Sequence, residues 1–565
     1  MSVGRRVWAA PLWAHALVLA VALAGAAPLM APSAATFSPD EAVVLTQVRS
    51  LADGGGWVVE HPFAEIDSEH RLYPVAGAHR GERGMAPFAK HPVYPVVLVA
   101  LDAMGGVIAM VLLSVLGTAA CATLAALLAR EVTGGLERPV LWAVGMGSPL
   151  LFDAYLLIAH TVGAALVTAA TLAVVRGSHR QQPAAALAGA CLLVALAVLF
   201  RSEALLFGLA LGAATVVTGL ARHRRALVTW GVAVGAAALV TAVVEKRVVT
   251  ALVGGDAGAV AVPDAGGSFL EARLEGFVNT WLRPSLETLT GADTLLVAVV
   301  AMAAAAVPVL RGRLGRPHTL VLLSVAATGM CALALAANPG RVVPGLLVAY
   351  PLAVLGIGLV DRTAFDASGR LLLTVTSGLF VAGVLATQYR VGGSAEWGGR
   401  YFALVVPALT VLAVDALARR ARPLPVVVRV GALAGLVACS ALMAVGAVTA
   451  MKTWHGHYED LLAAIDDAGR TTSPGDGGGP VVVSAYPNMA RRGWPTLPAQ
   501  RWLYDSKGER GSEVAALLDD RGVDELLFVG RDADEVEPYL GRYAVDRERS
   551  FSMRSWTISV LVVRP

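Results

Sequence analysis

Two adjacent acids, Asp40 and Glu41, stand near the start of the stretch SPDEAVVLTQVRSLADGGGW. Ser38 and Glu41 have the spacing of a capping box, in which each side chain accepts a hydrogen bond from the backbone of the other residue. Pro39 fits the first position of a helix, where a missing N–H costs nothing. The stretch therefore predicts a helix that begins directly after Ser38.

Capping accounts for Glu41 but gives Asp40 no local role. Position 40 shares one helical stripe with the apolar residues Val44, Val48 and Leu51, so its carboxylate is expected on the face that packs inward. A carboxylate held there can accept a proton from a hydroxyl group, which is general base catalysis. Asp40 is therefore a candidate catalytic base, and a purely structural acid is the alternative.

Three other segments each place a cation beside an apolar run. They are Lys90-His91-Pro92, Arg201-Ser202-Glu203 and Trp397-Gly398-Gly399-Arg400-Tyr401. Charges at tight turns often reach toward water without any further role. Three such turns together offer cations that can hold a phosphate group, because lysine and arginine are its usual partners. The candidate substrate-binding residues are Lys90, His91, Arg201, Glu203, Trp397, Arg400 and Tyr401.

Three further polar residues lie at or inside apolar runs. Asp153 and His160 flank a turn, and His160 is either a hydrogen-bonded structural histidine or a ligand for substrate. Asp415 lies within an apolar run, where a local structural partner is the better explanation.

The elements that carry these residues follow from an apolar composition. Hydrophobic residues make up 56% of the chain, and the mean hydropathy of +0.65 lies outside the soluble range. A helix needs about 20 apolar residues to cross a bilayer. The sequence predicts a mainly α, polytopic transmembrane bundle of about thirteen spans. The spans are residues 8–30, 106–129, 139–156, 159–175, 184–200, 203–220, 226–244, 293–310, 319–337, 343–360, 371–388, 402–418 and 425–450.

The distribution of arginine orients these spans, because short cytoplasmic loops retain basic residues. With the N-terminus inside, the inner segments hold seventeen arginines, whereas the short outer loops hold only Arg201, Arg341, Arg390 and Arg400. The large loops and the C-terminus are then expected outside a cell membrane. A cleaved secretory signal is the alternative interpretation of the first span, and it also leaves residue 40 outside. The net charge of +3 reflects the arginine bias and does not indicate nucleic-acid binding.

Four parts follow from this pattern. Residues 1–451 form the membrane domain, which contains a first outer loop at 32–105 and a second at 249–292. Apolar residues from Phe269 to Trp281 lie near helical spacing among charges, which predicts an interfacial helix in the second loop.

Residues 452–565 form a polar extracytoplasmic domain after the bundle. Its runs predict a small α/β layer with strands at Val481–Ser484, Glu525–Val529, Tyr543–Arg547 and Trp556–Val563 and a helix at Glu513–Asp520. No nucleotide-binding or metal-ligand motif occurs in this domain, so a role in covering the site or docking an acceptor is favoured over chemistry.

A carboxylate, several cations and an apolar wall together suit the transfer of a group from a lipid-linked phosphate. The carboxylate would accept the proton of the acceptor, while the cations would stabilise the charge on the leaving phosphate. A lipid-linked donor also explains why such a site would lie at the edge of a bilayer.

The quoted stretch around Asp40 and the segments KHPVYPVVLVAL, VLFRSEALLF and EWGGRYFALVVPAL resemble motifs of the GT-C superfamily of membrane glycosyltransferases. The resemblance covers roughly residues 8–420 and is greatest to the protein O-mannosyltransferases and the lipid A aminoarabinose transferases, which use polyprenyl-phosphate sugars. It implies that Asp40 is the catalytic base, that Glu41 is the adjacent acid of the site, and that Lys90, Arg201 and Arg400 face the phosphate.

The sequence departs from the family at two positions. His160 stands where an acid is common, and His91 replaces a commoner proline, so the resemblance does not assign the sugar or the acceptor. His160 is included among the candidate substrate-binding residues. Metal dependence varies within the superfamily, which leaves a divalent cation open as a cofactor, and no metal ligand is assigned.

These observations predict an inverting glycosyltransferase. It would move one sugar from polyprenyl phosphate to a cell-wall glycan, glycolipid or protein outside the membrane, by a single displacement that needs one base and no protein nucleophile. One alternative is a transporter or flippase of lipid-linked glycans, which predicts polar residues threaded through mid-span and broken helices. A non-enzymatic scaffold for envelope assembly is the other.

Overall fold

A computed structural model of the chain describes most of its residues. The described residues are 10–31, 36–59, 63, 72–74, 79–81, 84–88, 90–178, 183–254, 268–277, 280–281, 344–358, 362–387, 396–422, 425–473, 475, 477–531, 533–553 and 556–564. They form a mainly helical chain with a small sheet near its C-terminus.

The chain divides into two compact units. The first unit comprises Met1–Ala31, Ile108–Glu245 and Ala265–Met451. The second unit comprises Pro32–Val107, Lys246–Asp264 and Lys452–Pro565. Much of the first predicted outer loop therefore belongs to the same compact unit as the C-terminal domain.

Seven helices among the described residues are long and apolar enough to cross a membrane. They are Leu12–Met30, Val93–Thr133, His160–Gly177, Glu203–Ala221, Arg225–Val253, Ser368–Thr387 and Leu433–Arg470. Each corresponds to one predicted span, so the polytopic helical fold is confirmed. The predicted span 184–200 is also an apolar helix, Pro183–Phe200, whereas the predicted spans 293–310 and 319–337 lie outside the described residues.

The predicted spans 139–156 and 343–360 are wrong as continuous helices. The first is divided into the helices Glu137–Gly145 and Leu150–Asp153, and the second into Leu346–Ala349 and Pro351–Gly358. A proline follows each break, and proline disfavours the helical conformation of the residue before it. Tyr350 accordingly has φ −135° and ψ 84°.

The predicted span 402–418 is a shorter helix than expected, Val406–Ala421, with 16 residues. A short 3₁₀ helix, Arg400–Phe402, precedes it. Pro407 lies in the first turn of this helix, where the missing N–H of proline leaves no helical hydrogen bond unmade.

The helix Val93–Thr133 contains a break at two glycines. Gly105 has φ −170° and ψ 24°, and Gly106 has φ 62° and ψ −153°, neither of which is helical. The break separates the apolar stretch 93–100 from the predicted span 106–129, as the sequence indicated.

In the second unit, residues Pro39–Ala52 form the helix predicted from the capping box, which we call the Asp40 helix. Ser38 Oγ accepts from the Glu41 N–H at 3.3 Å, and the Ser38 N–H donates to Glu41 Oε2 at 2.7 Å. Strands β1 (His79–Gly81) and β2 (Gly84–Ala86) follow as an antiparallel hairpin.

The C-terminal domain is built on a five-stranded sheet. Its strands are β3 (Val481–Ser484), β4 (Arg501–Tyr504), β5 (Leu526–Gly530), β6 (Ala544–Met553) and β7 (Trp556–Arg564). The order is β4-β3-β5-β7-β6, with β3 parallel to β4 and β5 and the other neighbours antiparallel. The predicted strands and the predicted helix, now Gly511–Asp520, are confirmed.

The sheet has a dense apolar core in which β3 and β5 are buried along their whole length. Such central parallel strands are expected to be continuously apolar. Phe63 and Leu72 belong to the same core, and the Tyr504 N–H donates to the Leu72 carbonyl at 2.9 Å. Residues from the first predicted outer loop therefore complete the core of the C-terminal domain.

Two smaller predictions are also confirmed. The second predicted outer loop contains a helix, Phe269–Phe277, as expected. Its Phe269, Leu270 and Leu274 side chains are exposed, and its position at a membrane interface stays a prediction. Asp415 has local structural partners, because Arg370 and Arg419 lie 2.8 and 3.0 Å from its carboxylate.

Candidate functional site

Three buried polar side chains, Asp153, His160 and Glu396, meet in the first unit, and we call them the buried triad. His160 Nδ1 lies 3.4 Å from Asp153 Oδ2 and 3.3 Å from Glu396 Oε2. None of the three residues is more than 1% exposed. Among the described residues, both nitrogens of His160 and the Oδ1 atom of Asp153 lack a hydrogen-bond partner. Buried polar atoms are rarely left in this state, which makes the triad a candidate binding site.

Aromatic stacking brings two parts of the buried triad together. Phe152 and Trp397, the neighbours of Asp153 and Glu396, stack with ring centroids 6.0 Å apart and an interplanar angle of 23°. His160 begins the helix His160–Gly177, seven residues beyond Asp153. Asp153 ends the second half of the broken span 139–156 and therefore lies close to the start of the next helix.

The turn after Glu396 requires glycine. Gly398 and Gly399 have φ values of 75° and 68°, which side chains rarely adopt. A Cβ atom on Gly398 would lie 2.3 Å from Pro149, and one on Gly399 would lie 2.6 Å from the Thr280 carbonyl oxygen. The Gly-Gly pair thus lets the Trp397–Arg400 turn pack closely against two other segments.

Charges of both signs surround the buried triad. Arg400 Nη1 lies 3.3 Å from Glu396 Oε1, and the Arg400 guanidinium lies over the Tyr401 ring at 5.2 Å. Two carboxylates this close in a buried site need a proton or a cation between them. The predicted residues His160, Arg400 and Tyr401 therefore belong to one connected polar cluster.

The buried triad has ligand atoms spaced for a metal ion. One atom from each residue lies within 4.8 Å of the others. A tetrahedral zinc site with bonds of about 2.0–2.1 Å has ligand atoms about 3.3 Å apart, and the measured distances are 3.3 and 3.4 Å. The triad could hold a divalent cation, or an imidazolium ion between two carboxylates could give the same spacing.

Arg201 lies against the helix that begins at His160. Its side chain packs on Gly163, where a Cβ atom would lie 3.0 Å from the Arg201 Cγ. Arg201 Nη2 pairs with Glu203 Oε1 at 2.8 Å, and the two side chains are only 12% and 13% exposed. The buried Nε of Arg201 has no hydrogen-bond partner among the described residues, so one donor of this cation remains available to an anion.

The other predicted site residues belong to the second unit. Asp40 is partly buried in the first turn of its helix, and Val44 and Val48 on the same stripe are 1% and 0% exposed. Glu41 is fully buried and holds the Ser38 N–H. The predicted inward-facing stripe of the Asp40 helix is therefore confirmed at Val44 and Val48.

The segment of Lys90 and His91 is tied to the Asp40 helix. Gln47 is fully buried, and its Oε1 accepts from the Phe88 N–H at 3.2 Å. His91 is 7% exposed and contacts the Phe88 ring, whereas Lys90 is exposed. Asp40 and Lys90 therefore lie on two segments that a hydrogen bond between Phe88 and Gln47 connects directly.

The sequence identified most members of the first-unit cluster but omitted Glu396. Glu396 lies four residues before Arg400 in EWGGR, the spacing of a local ion pair. That spacing was a usable signal, because a buried arginine needs an acceptor nearby. Arg492 of the second unit was also omitted, and no motif surrounds it.

No protein-family model and no curated protein sequence matches the chain. By fold, it is similar to a crystal structure of ArnT from Cupriavidus metallidurans bound to undecaprenyl phosphate. That match has 15% identity, a TM-score of 0.51 and coverage of 100% of this chain and 98% of the other. The apo form of the same protein gives 14% identity, a TM-score of 0.51 and coverage of 99% and 98%.

A more distant protein gives a similar result. The apo oligosaccharyltransferase of Archaeoglobus fulgidus matches with 12% identity, a TM-score of 0.51 and coverage of 93% of this chain and 70% of the other. ArnT and the oligosaccharyltransferase are both GT-C membrane glycosyltransferases. The GT-C-like fold that the motifs implied is therefore confirmed.

Proposed function

We propose that the protein is an inverting glycosyltransferase that moves one sugar from a polyprenyl-phosphate donor to an acceptor outside the cytoplasmic membrane. The acceptor would be a cell-wall glycan, a glycolipid or a protein. The GT-C-like fold supports a membrane transferase, and one fold-level neighbour, ArnT, is bound to undecaprenyl phosphate.

The observation that carries this proposal is the state of Arg201. Its guanidinium is largely buried and pairs with Glu203, and its buried Nε donor has no hydrogen-bond partner among the described residues. A phosphate oxygen would satisfy that donor with a charge-assisted hydrogen bond. Arg400 and Lys90 would supply further positive charge to the leaving phosphate.

In the proposed reaction, Asp40 accepts the proton of an acceptor hydroxyl group. The hydroxyl oxygen forms a bond to the anomeric carbon as the bond from that carbon to the phosphate oxygen breaks. The polyprenyl phosphate leaves with the bonding electrons, and its charge is stabilised by Lys90, Arg201 and Arg400. One displacement inverts the configuration at the anomeric carbon.

The remaining predicted residues would shape the site around these groups. Glu41 holds the first turn of the Asp40 helix, and Glu203 orients Arg201 through their ion pair. His91, His160, Trp397 and Tyr401 are proposed to contact the sugar or the acceptor.

The phosphate role can be tested with undecaprenyl phosphate itself. Binding to purified protein would be measured by native mass spectrometry for Lys90→Gln, Arg201→Gln and Arg400→Gln. A hydrogen bond to a charged group contributes about 1.5–3 kcal/mol, so each change should weaken binding roughly 10- to 150-fold. Arg225→Gln is the matched control, because Arg225 is exposed. Unchanged binding in all three variants would contradict the phosphate role.

The nature of the reaction needs a second experiment. Mass spectrometry of envelope glycans with and without the gene should reveal the loss of one sugar from one acceptor. If the lipid-linked glycan instead accumulated on the cytoplasmic face of the membrane, with every sugar already attached, the protein would be a transporter.

A further inference from the structure

Arg492 is a buried cation that holds backbone carbonyl groups. The residue is 4% exposed and lies in the helix Pro487–Thr496 of the C-terminal domain. Its Nε donates to the Thr36 carbonyl at 3.2 Å, and its Nη2 donates to the Phe37 carbonyl at 2.6 Å. Its Nη1 donates to the Asn488 carbonyl at 3.1 Å. The planar guanidinium thus fixes two consecutive residues of a distant segment.

Two aromatic residues, Tyr458 and Trp454, connect Arg492 to the side chain of Phe37. The guanidinium of Arg492 lies over the Tyr458 ring, 3.7 Å from its centroid. Tyr458 stacks on Trp454 with centroids 5.5 Å apart, and Trp454 meets the Phe37 ring edge-on at 6.3 Å. Arg492 and Trp454 therefore hold both the backbone and the ring of Phe37.

The residue held in this way directly precedes the capping box. Phe37 is followed by the N-cap Ser38, and Asp40 lies one residue inside the helix. Tyr73 also joins the helix Pro487–Thr496 to the Asp40 helix. The Trp494 ring lies edge-on to the Tyr73 ring with centroids 5.4 Å apart, and Val43 packs on Tyr73. A displacement of Phe37 would therefore displace the first turn of the Asp40 helix.

We infer that Arg492 is a positioning residue through which the C-terminal domain holds the carboxylate of Asp40 in its reactive place. The inference rests on the proposed role of Asp40 as the base. It gives the C-terminal domain a part in the reaction beyond covering the site or docking an acceptor. Lysine does not reproduce this arrangement, because its single nitrogen cannot take the three separate positions from which the guanidinium nitrogens reach the Thr36, Phe37 and Asn488 carbonyls while its plane lies over the Tyr458 ring.

The structural part of this inference can be tested without any sugar donor. Hydrogen exchange of the full-length protein would be compared between wild type and Arg492→Lys. The Glu41 and Ala42 amides, which bond to Ser38, should exchange at least tenfold faster in the variant, while the amides of β5 stay protected. Unchanged exchange at Glu41 and Ala42 would overturn the inference. Loss of protection in β5 as well would also overturn it, since Arg492 would then stabilise the whole domain.

The kinetic part needs a split between rate and affinity. A misplacement of a reacting group by about 1 Å costs roughly 100-fold in rate, so Arg492→Lys should lower kcat by about that factor and leave the donor KM unchanged. Arg521→Lys is the matched control, because it makes the same substitution at an exposed arginine of the same domain. A wild-type kcat in Arg492→Lys, or a fall confined to donor affinity, would refute the inference.

A double-mutant cycle connects the effect to Asp40. In an Asp40→Asn background, Arg492→Lys should change the residual rate by less than about twofold, because residues that act as a unit are not additive. An equal loss in both backgrounds would show that Arg492 acts elsewhere. A fully active Asp40→Asn variant would instead contradict the proposed base, and the exchange experiment would still decide whether Arg492 holds the helix.

Discussion

The roles of Ser38 and Asp40 can be separated experimentally, because the cap and the proposed base are neighbours with different chemistry. Ser38 is 2% exposed, and its hydroxyl oxygen accepts a hydrogen bond from the Glu41 N–H. The Glu41 carboxylate in turn accepts a hydrogen bond from the Ser38 N–H. Asp40 is not part of this pair. Ser38→Ala should therefore change stability, whereas Asp40→Asn should change the reaction.

The two expected magnitudes differ widely. Loss of an N-cap side chain costs about 1 kcal/mol, which is roughly fivefold in a folding equilibrium. Loss of a general base costs about 100- to 10,000-fold in rate, or about 2.7–5.4 kcal/mol of barrier. The Asp40→Asn substitution keeps the size of the side chain and removes the favourable interaction of an anion with the helix N-terminus, which is worth about 0.3–1 kcal/mol.

The assay is single-turnover transfer of the sugar that envelope glycan analysis identifies, normalised to the amount of folded protein. Asp40→Asn should fold normally and be nearly inactive, and Ser38→Ala should be slightly less stable and active. If Asp40→Asn kept more than about a tenth of the wild-type rate, its loss would be smaller than a general base normally supplies. Asp40 would then be a structural acid, and another residue would have to accept the proton.

Three further predictions concern topology, metal binding and pH. Cysteines introduced at Ser68 and Ser506 should react with an impermeant thiol reagent in intact cells, and labelling only after permeabilisation would contradict the proposed orientation. Purified protein equilibrated with Zn²⁺ should retain about one ion per chain through the buried triad, and equal retention by His160→Gln, measured by elemental mass spectrometry, would exclude that site. Burial raises the pKa of Asp505, although the Tyr539 hydroxyl donates to it at 2.7 Å. Its contribution to stability is then complete below about pH 3.9 and is lost as the pH rises through the raised value. Asp505→Asn should therefore gain stability relative to wild type as the pH rises above about 3.9, and a difference in hydrogen exchange of β4 that stays constant with pH would contradict this.

Sequence patterns correctly predicted the helices and strands that depend on interactions between residues close together in the chain. The capping box placed the start of the Asp40 helix at the correct residue, because the two hydrogen bonds join residues only three positions apart. The strands β5 and β7 followed from apolar runs that the sheet buries. The strand β4 was not predicted, since Arg501 and Tyr504 make its pattern only partly apolar, and its burial depends on neighbours such as Leu72.

Hydropathy predicted most of the described membrane helices correctly but missed the breaks inside two predicted spans. The spans 139–156 and 343–360 have enough apolar residues to cross a bilayer, yet Pro149 and Pro351 follow breaks in both. Apolar content measures the free energy of transfer into lipid, whereas proline acts on backbone geometry. Both properties are visible in the sequence, and the prediction used only the first.

The composition of the polar sites could be predicted only in part, because a site joins residues that are far apart in sequence. Asp153, His160 and Arg400 are recognisable in the sequence as polar residues beside apolar runs. Sequence spacing does not predict that Glu396 contacts His160, because more than 200 positions separate them. Arg492 is harder still, since its partners at Thr36 and Phe37 are backbone carbonyls, which every residue has. A side chain that binds backbone leaves no complementary residue type in the sequence, so only its burial in the fold reveals it.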